Sequence, residues 1–120
     1  MKKSLLIKGI PVLLDGDVAK LLGTNTRALN QTMKRGQNGI VEGTYYKVSE
    51  EDFKKLKSQG LVSKHNYKST YVFTEEGLLT AAMMTHTPKA AKVAVELVRY
   101  YFDLKTKMMG KSQNEWFTFS

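Results

Sequence analysis

The segment from Asp15 to Arg35, DGDVAKLLGTNTRALNQTMKR, narrows the folds open to this chain more than any other stretch. Two short amphipathic runs flank Gly23, and Ala19 stands four residues before it. Helices that cross at a tight turn need a small residue at the contact. The turn itself needs a residue that takes positive φ cheaply, which is glycine. Val18, Leu22 and Leu29 supply the apolar contacts for such a crossing. Thr32 stands where a helix-turn-helix usually carries a larger aliphatic residue, and Met33 is expected to fill that space. On the second helix Ala28, Leu29, Thr32 and Met33 share the core side, while Arg27, Asn30, Gln31 and Lys34 fall on the wet side.

If the second helix enters a major groove N-terminus first, Asn25, Thr26, Arg27, Asn30 and Gln31 come near base edges. Arginine can address guanine bidentately, and asparagine or glutamine can address adenine, so these residue types suit direct readout. Lys20, Lys34 and Arg35 are then expected at phosphates, where they supply affinity rather than sequence preference. The same pattern also fits an ordinary helical hairpin with a solvated polar face.

Around this segment the chain alternates short strand and helix signals. Leu5 to Ile7 and Val12 to Leu14 read as strands joined through Gly9 and Pro11. Residues 37 to 48 read as a loop and then a strand around Tyr45 to Val48. Ser49 caps a helix with acidic residues in its first turn and lysines later, the order a helix dipole favours, and Gly60 closes it. LVS and TYVF flank KHNYKS, so residues 61 to 73 are expected to form a hairpin whose basic tip adds Lys64 and Lys68 to the phosphate contacts. Thr74 caps the next helix, with Phe73 and Leu78 at the spacing of a hydrophobic staple. A long helix is predicted from Pro88 to about Met108. Its stripe of Ala90, Val93, Ala94, Leu97, Val98, Tyr101 and Leu104 is expected on the core, opposite Lys92, Glu96, Arg99 and Asp103. Tyr100 and Phe102 beside that stripe leave a homodimer contact open. The expectation is a small single-domain α+β fold over residues 1–109, with helix-turn-helix, short β-hairpins and long C-terminal helix, and a flexible or docking tail over 110–120.

Composition restricts function further. Nineteen lysines and arginines against 11 acidic residues leave a formal charge of +8, which suits a polyanionic partner. With no cysteine, a disulfide framework, a cysteine zinc site and a thiol nucleophile are excluded. His65 and His86 stand 21 residues apart and read as surface residues, so no metal and no cofactor is expected. The acidic groups at residues 50–52 and 75–76 sit at helix starts. No glycine spacing forms a phosphate loop, and the chain does not read as an enzyme. Lys8 interrupts the opening apolar run, and no stretch reaches the roughly 20 residues of a transmembrane helix. A soluble protein of the bacterial cytoplasm, associated with the nucleoid and not with a membrane, is expected.

Several short motifs recur here in one order: Leu14-Asp15, Ala19 and Gly23, Leu29-Asn30, Lys34-Arg35, Ser58-Gln59, and Phe73-Thr74-Glu75 with Gly77. In that order they resemble the open-reading-frame-six N-terminal domain, a phage and bacterial relative of the KilA-N domain, over roughly residues 10 to 105. The resemblance implies a DNA-binding module of the kind attached to phage antirepressors and prophage regulators. The chain departs from that family at Gly36 to Tyr46, where RGQNGIVEGTYYKV replaces the usual Arg-Phe-Pro-x-x-Phe run. The expected function is sequence-specific binding of double-stranded DNA as a phage or prophage regulator. The alternative is an antirepressor that grips and inactivates a phage repressor protein.

Overall fold

Side-chain alternation along four short strands decides the layering. In the computed structural model, which describes residues 5–60 and 70–109, strands β1 (Leu5–Ile7), β2 (Ile10–Leu14), β3 (Tyr45–Lys47) and β4 (Tyr71–Phe73) form one antiparallel sheet in the order β1-β2-β4-β3. Successive residues of a strand face opposite sides, and the two cores follow from that rule. Phe73, Leu13 and Tyr45 face a helical layer, whereas their neighbours Val72, Leu14 and Tyr46 face the other way.

The helical layer holds α1 (Asp15–Leu21), α2 (Thr26–Arg35), α4 (Glu75–Met84) and the start of α5 (Pro88–Met109). Its core is built from Val18, Ala19, Leu22, Leu29, Met33, Phe73, Ala81 and Ala90 with their neighbours. Met33 is fully buried in this core, while Thr32 is half-buried. On the opposite face of the sheet, α3 (Glu50–Ser58) lays Phe53 and Leu56 against Leu5, Ile7, Val12, Val48 and Val72.

Local chemistry explains where these elements begin. Lys8 and Gly9 both take positive φ, as a two-residue hairpin turn that matches strand twist requires, and they join β1 to β2. Pro11 lies inside β2 rather than in the turn. It sits opposite Leu6 of β1, and β4 reaches only Leu13 and Leu14, so its missing N–H disrupts little. Ser49 Oγ accepts from the Asp52 N–H at 3.1 Å and caps α3 as expected. The closure of α3 also holds, with Gly60 at φ 74°.

The Phe73-Thr74-Glu75-x-Gly77 motif has a specific job. Phe73 fills the helical core and Leu78 packs into the same cluster. Thr74 Oγ1 accepts from Gly77 N–H at 3.2 Å to cap α4, and it also donates to the Thr44 carbonyl at 3.4 Å. The Thr74 N–H donates to the same carbonyl at 3.0 Å. Gly77 is needed because a Cβ there would land on the Thr44 carbonyl oxygen. The motif therefore clamps the connector before β3 onto the start of α4.

Two sequence expectations need correction. Only the start of the α5 stripe is core: Ala90 is buried and Val93, Ala94 and Leu97 are half-buried, but Val98 and Leu104 are exposed. Helical period assigns a residue to a side, but burial needs a neighbour long enough to cover it. Leu104 lies on the turns of α5 that run past the ten-residue α4, whereas Val98 sits on the side of α5 turned away from α4. The hairpin expected over residues 61 to 73 also changes. Its second run is β4, which pairs with β2 and β3; its first run and its tip, with Lys64, His65 and Lys68, lie outside the described residues. Among the described residues no helix is long and apolar enough to cross a membrane.

Candidate nucleic-acid interface

The turn between α1 and α2 is fixed from both sides. At the end of α1, Gly23 at φ 73° lets its own N–H reach Lys20 O at 3.2 Å and lets Thr24 N–H reach Ala19 O at 2.9 Å, satisfying carbonyls that the helix end exposes. Ala19 is buried as the crossing requires. Asn25 caps α2, its Oδ1 accepting from Ala28 N–H at 2.8 Å. Thr87, just ahead of α5, donates its hydroxyl to the Leu22 carbonyl and accepts from Ala90 N–H at 3.0 Å. One threonine thus joins the end of α1 to the start of α5.

A polar network sets the rotation of α2. Asp15, the first residue of α1, is 7% exposed, and its Oδ2 accepts from Asn30 Nδ2 at 3.0 Å and from Tyr71 N–H at 3.3 Å. Asn30 Oδ1 in turn accepts from the Tyr45 hydroxyl at 2.8 Å. The Tyr45 ring stacks on Tyr71 with centroids 5.1 Å apart and leans on Phe73 at 4.8 Å. Burial, with smaller contributions from Tyr71 and Asp15, pushes the Tyr45 hydroxyl well above the usual phenol range, so it stays protonated as a donor. One buried carboxylate and one amide hold α2 to α1 and to both β3 and β4.

With Asn30 turned inward, the outer face of α2 is a row of long polar side chains. Arg27, Gln31 and Arg35 recur every four residues and Lys34 stands beside them; all four are exposed. The helix carries no acidic residue. The Lys34 ammonium lies 5.5 Å from the centre of the Tyr71 ring, a cation–π distance that seats it over the start of β4. Lys20 is exposed on α1, where a shallow cleft lined by Asp15, Asp17, Lys20, Asn25 and Thr26 separates it from the start of α2.

The expected site residues therefore separate into groups. Arg27, Gln31, Lys34 and Arg35 come together on one face, and Lys20 flanks the entrance to α2. Asn25 is exposed but its side-chain oxygen is engaged as a cap, and Thr26 is half-buried against α1. Asn30 has both ends of its amide occupied inside the protein. Lys64 and Lys68 lie outside the described residues. Asp15, Tyr45, Tyr71 and Thr87 carry the frame of the site and are not among the site residues the sequence points to. Of these, Asp15 is marked in the sequence by the Leu14-Asp15 pair and Thr87 by its place ahead of Pro88.

The ORF6N domain family model matches residues 2–84, from the β1–β2 hairpin through the end of α4. No curated protein and no solved structure matches the chain.

Proposed function

The chain belongs to the ORF6N domain family, and on that premise we propose that it binds double-stranded DNA with the outer face of α2, as a regulator of the phage antirepressor type. The carrying observation is the exposed row of Arg27, Gln31, Lys34 and Arg35 on a helix whose rotation is fixed by Asp15 and Asn30. A helix offered to the major groove needs base-reading groups that do not wander, and a buried polar anchor on its reverse side supplies that.

Roles divide by chemistry. Arg27 and Gln31, in the first two turns of α2, address base edges. Lys34, Arg35 and Lys20 neutralise phosphates, in keeping with the +8 charge of the chain. Asn30 acts as a positioning residue behind the reading face, and Asn25 and Thr26 shape the helix entrance next to the backbone of the nucleic acid.

The direct test is binding of the full chain to a labelled pool of random double-stranded DNA at two salt concentrations, with the bound fraction sequenced. Enrichment of a short motif, together with affinity that falls as salt rises, supports the reading. Binding without enrichment reduces it to a non-specific polycation, and absence of binding at low salt removes it.

A further inference from the structure

We infer that α5 is a self-association surface on which a second copy of this chain packs antiparallel about a two-fold axis between residues 97 and 98. Two observations carry this, and neither depends on DNA binding. First, Val95 and Val98 are 48% and 53% exposed on a helix that is otherwise anchored to the core at Ala90. With Ala91 they recur at spacings of four and three, which places them on one side of the helix, away from the seam that packs on α4.

Second, the charges flanking that side are complementary to their own reverse. Lys92, Glu96, Arg99 and Asp103 are all exposed and read plus, minus, plus, minus at spacings of four, three and four. Among the described residues none of the four is ion-paired within the chain. Laid antiparallel about a dyad between residues 97 and 98, Lys92 faces Asp103 of the other copy and Glu96 faces Arg99, each pair occurring twice. A parallel in-register arrangement sets each charge beside its own kind. The sequence pattern thus selects the orientation as well as the partner, while Val98 meets its own copy at the axis.

Sedimentation equilibrium on the full chain tests this, with thermal unfolding followed on every variant. The wild type is expected to sediment at twice the chain mass at micromolar concentration. Val98→Glu puts two carboxylates at the axis and is expected to yield a folded monomer with the Tm of the dilute, dissociated wild type, because the side chain is exposed in the single copy. Glu96→Lys and Arg99→Glu each set like charges opposite one another and are expected to weaken association by about tenfold or more. The double variant E96K/R99E restores opposite charges across the dyad and is expected to recover the dimer. A monomeric wild type, a Val98→Glu protein that remains dimeric, or a double variant no better than the two single ones overturns the proposal. The first of those results would leave this face to a different protein, such as a repressor.

Discussion

The side-chain amide of Asn30 donates to the buried carboxylate of Asp15 at 3.0 Å, fastening the middle of α2 to the first residue of α1. The other end of the same amide takes the Tyr45 hydroxyl. Asn30→Ala leaves a buried carboxylate and a phenol each short of a partner, and the expected loss is about 1–3 kcal/mol, read as a lowered denaturation midpoint. Asn30→Asp places two carboxylates side by side. Its deficit is expected to exceed that of the alanine variant at neutral pH and to shrink as the pH is lowered toward the carboxylate range, where one of the two takes a proton. A deficit independent of pH would mean that Asp15 and residue 30 do not face one another.

Tyr45 makes a second pH prediction. Its hydroxyl is held above the ordinary phenol value by burial, with Tyr71 and Asp15 adding to the effect. A raised value in the folded state means that the unfolded chain releases this proton first. The stability it confers is complete below the unfolded value near 10 and is lost as pH rises beyond it. Tyr45→Phe is expected to flatten that alkaline decline while lowering stability near neutrality through loss of the bond to Asn30. Denaturant midpoints measured from pH 7 to 11 on both proteins test this, and parallel curves would contradict it.

Gly77 and Gly39 form a matched pair of alanine substitutions. A Cβ at Gly77 collides with the Thr44 carbonyl, whose carbon lies 2.9 Å from the new atom, whereas a Cβ at Gly39 meets nothing within 4 Å. Because the obstacle is backbone held by two hydrogen bonds to Thr74, Gly77→Ala is expected to cost about 3 kcal/mol or to prevent folding. Gly39→Ala is expected to stay within about 0.5 kcal/mol of the wild type. Comparable melting temperatures for the two variants would contradict the close approach of α4 to that connector.

Along α5 the expected cost of truncation falls with distance from the core. Leu97 is half-buried against the helical core while Val98 is 53% exposed. Leu97→Ala is expected to cost about 1–2 kcal/mol, less than a fully buried leucine, and Val98→Ala less than about 0.5 kcal/mol in the single copy. Thermal unfolding at concentrations low enough to keep the chain monomeric separates the two.

The hydrophobic pattern made much of this fold readable, and particular residues mark where it stopped. Ala19, Gly23, Leu29 and Met33 specify the α1–α2 crossing locally, since period, small residue and positive φ all fall within one short segment. Ser49 and Thr74 mark helix starts for the same local reason. Polarity places Asn30 on the wet side of α2, because it cannot reveal that Asp15 and Tyr45, 15 residues away on either side, turn its amide inward. The period of α5 groups Leu104 with the core because it says nothing about where α4 begins, and Val98 because it borders the stripe that packs on α4 without belonging to it. Thr87, ahead of Pro88, stands where a helix cap belongs, but nothing local shows that its hydroxyl also reaches the backbone carbonyl of Leu22, 65 residues distant. Local rules thus reach α2 and its exposed Arg27 and Gln31, while long-range pairing determines which polar side chains of that helix are held inside the protein.

The claim that the outer face of α2 reads base sequence is tested most directly by selecting preferred sites with the wild type and with Arg27→Ala, Gln31→Ala and Lys34→Ala in parallel. Arg27 and Gln31 variants are expected to lose discrimination at particular base positions, each worth about 1–3 kcal/mol, while keeping the wild-type melting temperature. Lys34→Ala is expected to weaken all sequences alike and to lower the salt slope by about 1. The same enriched motif in all three variants, with unchanged affinity, would contradict the assignment of α2 as the reading helix.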